Sequence, residues 1–270
     1  MSTHLKRWLT ALLAVPVLLL LIIFGSEVLF ALFIAAIIAA AMMEYNFMVF
    51  GAGRPAEKSV TIIIALLVAA AAWSGGTSLV LATVALSLLG LFSLSLLRDE
   101  EEPGTHLKRV MGGIFGILYI AVMMSFFILI RCGGDGRTWV FFLIVMAFST
   151  DVPAFYAGRT WGRRKLLPSV SAGKTVEGSL GGTAGCVAAC TIYSVLFLPD
   201  LWLGHAVVMG FMGSILGQLG DLSESALKRA SNIKDSGFLF PGHGGILDRL
   251  DSFLFMAPFL YYYKEYIISL

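Results

Sequence analysis

The sequence predicts an all-α protein, a polytopic bundle of about nine transmembrane helices. Three observations carry that prediction. Of 270 residues, 58% are hydrophobic and only 13% are charged, whereas a soluble domain has about a quarter charged residues. The mean hydropathy is +0.88, more apolar than one water-facing core of this size can bury. The apolar residues also fall into separate long runs, most of them near the ~20 residues that cross a bilayer.

The first run, residues 8–24, follows Lys6 and Arg7 and could pass for a signal peptide. No A-x-A pattern follows it, and more runs do, so it reads as a retained span. The others are 28–45, 60–73, 78–97, 110–130, 139–156, 175–198, 206–222 and 250–267. The sixth and eighth each carry an Asp near one end. The chain divides on this reading into N-terminal spans (1–109), middle spans with a loop (110–174) and a C-terminal catalytic region (175–270).

Charge orients the bundle, because Lys and Arg are retained on the cytoplasmic side. With nine spans and the N-terminus inside, 16 of the 19 Lys and Arg residues are cytoplasmic; only Arg131, Arg137 and Lys264 fall outside. The outer connections, 25–27, 74–77, 131–138 and 199–205, are short. The long ones, 157–174 and 223–249, are cytoplasmic and exceed ordinary loop length. There is no internal repeat to support an inverted-repeat transporter. Gly112, Gly113 and Gly116, then Gly181, Gly182 and Gly185, then Gly213 and Gly217 have the spacing of close helix packing. Cys132, Cys186 and Cys190 have no metal-binding spacing and read as small apolar residues.

The chemistry gathers late in the chain. Ionisable residues inside or at the ends of spans are costly and mark function. Asp151, Asp221, Asp248 and Asp251 qualify, although any one alone could be a helix cap. Asp248 and Asp251 are three apart, on one helical face. The loop 223–249 brings the chain back to the face that carries Asp221. Converging carboxylates call for a cation, and an all-oxygen set suits Mg²⁺ together with substrate phosphates. Lys228, Arg229, Lys234 and Arg249 can neutralise a polyphosphate without being buried. Gly242, Gly244 and Gly245 let backbone N–H groups approach anionic oxygens.

These residues form a recognisable string: Ser225, Lys228-Arg229, Lys234-Asp235, Gly237, Pro241, His243-Gly244-Gly245, Asp248-Arg249 and Asp251. It resembles the signature of the phosphatidate cytidylyltransferases, or CDP-diacylglycerol synthases. The stretch from Asp151 through Lys165 and Pro168 to Ser171-Ala-Gly173-Lys174-Thr175-Val-Glu177-Gly178 is similar to a second segment of that family, with Ala172 where the family has Pro. The resemblance spans about residues 149–253; the N-terminal half matches only in style.

The resemblance implies a Mg²⁺-dependent transfer in phospholipid biosynthesis: CTP and phosphatidic acid give CDP-diacylglycerol and pyrophosphate. It implies Asp221, Asp248 and Asp251 as metal ligands, with room left open for a second cation. Lys228, Arg229, Lys234 and Arg249 would clamp phosphates, with Lys174 helping from the neighbouring loop. Gly244, Gly245 and Ser225 would donate hydrogen bonds to the substrates. His243 either meets a phosphate or orients a carboxylate. Asp151 either completes the site or pairs with a cation. The partners expected are CTP, phosphatidic acid and membrane lipid, with no nucleic acid; the apolar N-terminal spans offer a packing or homodimer surface. The expected location is the inner, cytoplasmic membrane, with the site facing the cytoplasm. Two rivals remain: a CTP-using polyprenol or phytol kinase, and a transporter or channel with the Asp residues as ion sites.

Overall fold

The computed structural model describes residues 16–51, 53–97, 103–231, 233, 236–237 and 245–268. Among these the chain is helical apart from one short hairpin. The elements are α1 (residues 16–24), α2 (Glu27–Phe50), α3 (Pro55–Leu96), α4 (Pro103–Gly116), a π-helical stretch Ile117–Val122, α5 (Met123–Cys132), α6 (Gly136–Trp161), β1 (Lys165–Leu167), β2 (Ser171–Thr175), α7 (Val176–Phe197), α8 (Leu203–Ala230), α9 (Leu247–Tyr263) and a π-helical end Lys264–Ile268. Seven helical segments among the described residues are long and apolar enough to cross a membrane, and the protein is an integral, multi-pass membrane protein. Of the two remaining predicted spans, the first is described only from residue 16, and the last is α9, 17 residues long and prolonged by the π-helical end.

The chain folds as two compact units. The first comprises Met1–Cys132 and Asp235–Asp248. In it, Ser26 caps α2 by accepting the Leu29 N–H (3.2 Å). Pro55 opens α3, where its missing N–H has no partner to lose. Gly76, at φ 65° and ψ −159°, breaks α3 into Pro55–Ser74 and Gly76–Leu96; that backbone suits glycine alone. The glycines of α4 admit a neighbouring aromatic. The Tyr45 hydroxyl donates to the Gly112 carbonyl (2.7 Å), and a Cβ at Gly116 would overlap the Tyr45 ring. At the other end of this unit, Arg131 donates to the Gly25 carbonyl (2.9 Å) and stands 3.9 Å from Glu27. Asn46 donates to the Thr61 hydroxyl (2.9 Å) and the Lys58 carbonyl (3.2 Å). Both sets join segment ends that the nine-span alternation puts on the same membrane face.

The second unit comprises Gly133–Lys234 and Arg249–Leu270. Its α6 and α7 approach closely because one side is glycine. A Cβ at Gly181 would overlap Ala157, at Gly182 it would meet the Thr150 carbonyl and Ala154, and at Gly185 it would overlap Pro153. Gly213 and Gly217 on α8 likewise make room for Met146 and Met256. Packing therefore accounts for these glycines, as the spacing predicts. Cys186 and Cys190 are buried and unbridged, with their sulfurs 3.9 Å apart.

Two of the long connections depart from the sequence reading. The segment 157–174 is not a plain loop: α6 runs on to Trp161, and then β1 and β2 pair antiparallel, with Lys165 opposite Thr175 and Leu167 opposite Ser171. The second long loop begins later than expected. Helix α8 runs to Ala230, eight residues beyond the predicted span end, because no Gly or Pro follows Gly220 within it and Glu224 and Lys228 form an i,i+4 ion pair of 2.6 Å. Ser225, Lys228 and Arg229 are therefore helical residues rather than loop residues.

Candidate active site

In the second unit, four charged residues from four elements gather. Asp151 comes from α6, Lys174 from β2, Asp221 from α8 and Asp251 from α9. The Lys174 ammonium lies 2.5 Å from an Asp221 oxygen, with about a quarter of the lysine side chain and a third of the aspartate exposed. Asp251 and Asp151 both lie within electrostatic reach of that pair and of each other. Asp251 is further held by its own helix, accepting the Ser252 N–H (2.6 Å). Gly220 allows α9 to come near, since a Cβ there would overlap the Asp251 carbonyl.

The hairpin is what delivers Lys174. Thr175 caps α7 by accepting the Gly178 N–H (3.1 Å). Glu177, in the first turn of α7, reaches back to accept the backbone N–H groups of Arg163 (3.0 Å) and Arg164 (3.2 Å). Lys165 donates to the Ala172 carbonyl (2.7 Å), closing the hairpin where the family signature has proline. Gly158 and Gly178 face each other, and Gly162 sits against Thr175. The Lys174-Thr175-x-Glu177-Gly178 run is thus a device that ties β2 to both α6 and α7 and points Lys174 at Asp221.

On α8, Asp221, Ser225 and Lys228 follow at i, i+4 and i+7 and share one face. Lys228 does not reach freely into solvent. It pairs with Glu224, whose side chain is 1% exposed, and the lysine itself is 16% exposed. The expectation that these cations need no burial holds for the exposed Arg229 and Arg249 but not for Lys228. A long lysine lies along an apolar helix surface more cheaply with a carboxylate at its tip.

In the first unit, Asp248 stands at the start of α9. One of its oxygens accepts three hydrogen bonds: from the Ser236 N–H (3.1 Å), the Ser236 hydroxyl (3.0 Å) and the Gly245 N–H (2.8 Å). From the first turn of α9, this carboxylate reaches back to tie Ser236 and Gly245 to the start of the helix. Of the remaining predicted residues, Lys234, His243 and Gly244 lie outside the described residues. Gly245 is buried in contact with Ser236.

Carboxylates make up the donor set at Asp151, Asp221 and Asp251, and a hard cation such as Mg²⁺ takes oxygen ligands of this kind. Lys174 already supplies one positive charge there. Among the described residues no three His, Cys, Asp or Glu side chains stand close enough together to enclose a metal.

Three acidic residues escaped the sequence reading as site residues: Glu44, Glu177 and Glu224. The signal was available for each. Glu44 ends a long apolar run, by the same criterion that selects the aspartates. Glu224 is four residues before a signature lysine, and Glu177 is two after Thr175.

The fold defines a multi-pass, all-helical membrane protein with carboxylates and cations clustered at the ends of its helices. The chain belongs to the cytidylyltransferase family, whose model matches residues 5–267. It is 33% identical over 261 residues to a phosphatidate cytidylyltransferase of Staphylococcus saprophyticus, covering 94% of this chain and 96% of that one. It is 46% identical over 147 residues to the Bacillus subtilis phosphatidate cytidylyltransferase, and 32% identical over 232 residues to the chloroplastic phosphatidate cytidylyltransferase 4 of Arabidopsis thaliana. Those two matches span 54% and 58% of the relatives' own lengths, and 54% and 77% of this chain.

Proposed function

We propose that this chain is a phosphatidate cytidylyltransferase that makes CDP-diacylglycerol from CTP and phosphatidic acid on the cytoplasmic face of the membrane. A phosphate oxygen of phosphatidic acid bonds to the α-phosphorus of CTP. The bond from that phosphorus to the α–β bridging oxygen breaks, and pyrophosphate leaves. The nucleophile is already ionised at neutral pH, so no strong base is needed. The main barrier is bringing one anion to another, and fixed positive charge lowers it.

The observation that supports this reading most directly is the Lys174–Asp221 pair, set among Asp151 and Asp251. A cation beside carboxylates at the ends of spans is the chemistry that a reaction between a lipid headgroup and a soluble nucleotide would need. Lys174, Arg229 and Arg249 would meet phosphates, with Lys228 positioned by Glu224. Mg²⁺, when bound, would screen the triphosphate, and Asp221, Asp251 and Asp248, one turn before Asp251 in α9, are the residues that would hold it. The 16-of-19 cationic asymmetry supports the cytoplasmic placement. A second copy of the chain packing on the apolar N-terminal helices belongs to the same reading.

The test is direct. Purified protein given CTP labelled in the cytidine moiety, phosphatidic acid and Mg²⁺ should yield labelled CDP-diacylglycerol and one pyrophosphate per turnover. A lipid alcohol in place of phosphatidic acid should yield nothing. Release of CDP with a phosphorylated alcohol would replace this reading with the kinase one.

A further inference from the structure

Glu44 lies in α2, in the half of the chain where the family resemblance is weakest, yet it is bound to the signature segment. It is buried, at 8% exposure. One oxygen accepts the Ile246 N–H (2.9 Å). The other accepts the Leu247 N–H (3.1 Å) and faces the Ser236 hydroxyl (3.1 Å). That hydroxyl also faces Asp248 at 3.0 Å, so a single proton lies between two carboxylates. All of these groups belong to the first unit.

A carboxylate buried in an apolar helix is destabilising unless donors surround it. Here the donors are amides at the first turn of α9, which have no partner in their own helix and favour negative charge. The glycines of the segment fit the same purpose. A Cβ at Gly237 would overlap the Glu44 carboxylate, and a Cβ at Gly245 would overlap both Glu44 and the Ser236 hydroxyl. Two signature glycines are thus explained by the close approach of a glutamate from a distant helix. Glu44 thus meets the signature at two places, at Ser236 and at Ile246 and Leu247.

We propose that Glu44 is a positioning residue for the cytidylyl transfer: by holding Ser236, Ile246 and Leu247 it sets the place of Asp248 and the start of α9. The inference rests on the proposed reaction. It predicts an effect on turnover by a residue that touches neither substrate.

The test compares wild type with Glu44→Gln, Glu44→Asp and Ser236→Ala, measuring three things. These are amide hydrogen exchange at Ile246 and Leu247 without substrate, kcat and KM for CTP across a Mg²⁺ titration, and thermal stability. Glu44→Gln should exchange faster at both amides and lose about 10–100-fold in kcat, the usual effect of disturbing a residue behind a ligand, with KM for CTP little changed. Glu44→Asp, which keeps the charge, should recover part of the loss. Wild-type exchange, or wild-type kcat in folded Glu44→Gln, overturns the proposal, as does a loss of stability with unchanged turnover per folded molecule. If Glu44→Gln fails to fold, Ser236→Ala decides: faster exchange with reduced kcat supports the proposal, and wild-type kcat overturns it. A wild-type protein that makes no CDP-diacylglycerol would defeat the reaction itself, a result distinct from variants that match an active wild type.

Discussion

The Lys174 ammonium rests 2.5 Å from the Asp221 carboxylate, although 46 residues, all of α7 and most of α8, separate them in sequence. The pair joins the Lys174 segment to α8 four residues before Ser225, where the signature begins. Under the proposed reaction Lys174 would exchange partners, from Asp221 in the free protein to a substrate phosphate.

Lys174→Gln should therefore lower kcat/KM for CTP by roughly a hundredfold or more, the scale of removing one fixed electrostatic contact to developing charge. Lys174→Arg should keep a larger share, since it keeps the charge. Steady-state kinetics with CTP varied at saturating phosphatidic acid measure both. Full activity in Lys174→Gln would show that Lys174 only balances Asp221.

The aspartates separate metal binding from a structural role. Asp248 is the sharpest case, because it already accepts three hydrogen bonds on one oxygen. Asn keeps a carbonyl oxygen that can accept from the Ser236 and Gly245 N–H groups, so Asp248→Asn should melt near the wild-type temperature. If Asp248 is also a Mg²⁺ ligand, pyrophosphate release should nearly vanish and respond poorly to added Mg²⁺. Asp221→Asn and Asp251→Asn should behave alike. Normal turnover at low Mg²⁺ in Asp248→Asn would leave it a structural role alone.

Glu224 and Lys228 call for a double comparison. Removing one member of a mostly buried pair strands the other charge, a loss toward the low end of ~3–5 kcal/mol because Lys228 is partly exposed. Glu224→Gln should thus lower thermal stability, and Lys228→Ala should lower both stability and turnover. Arg229→Ala, at an exposed position, should lower CTP use with little change in melting. An Arg229→Ala variant with unchanged kinetics would reduce that residue to a topology signal.

Cys132 supplies a native probe of orientation. It is exposed, while Cys186 and Cys190 are buried. In intact cells or sealed, right-side-out vesicles, a membrane-impermeant thiol reagent should label Cys132 from the outer face. A cysteine introduced by Ser231→Cys should react only after the membrane is opened. The reverse pattern would invert the topology and move the site to the other side.

Much of this protein was legible without coordinates, and for a definite reason. In lipid, backbone groups must be satisfied within the chain, so long apolar runs can only be helices. That made the all-helical class readable from composition. The glycine spacings at Gly181, Gly182 and Gly185 marked the α6–α7 contact. The signature from Ser225 to Asp251 identified the chemistry because its residues are close in sequence. The polar ends of the helices were less legible. There hydropathy no longer marks where a helix stops, so α8 ran past its predicted end and the β1–β2 hairpin went unseen.

The sequence by itself determined the membrane class, the inventory of carboxylates and cations, and the family. Only the tertiary structure decided their partners. It placed Lys174 on Asp221, Lys228 on Glu224, and Glu44 beneath the amides of Ile246 and Leu247. The physical reason is range. Helix periodicity and span length are local properties, written in neighbouring residues. The pairing of a buried charge is settled by whichever distant donor the packed helices bring within hydrogen-bonding distance, and for Glu44 that donor lies about two hundred residues further along the chain.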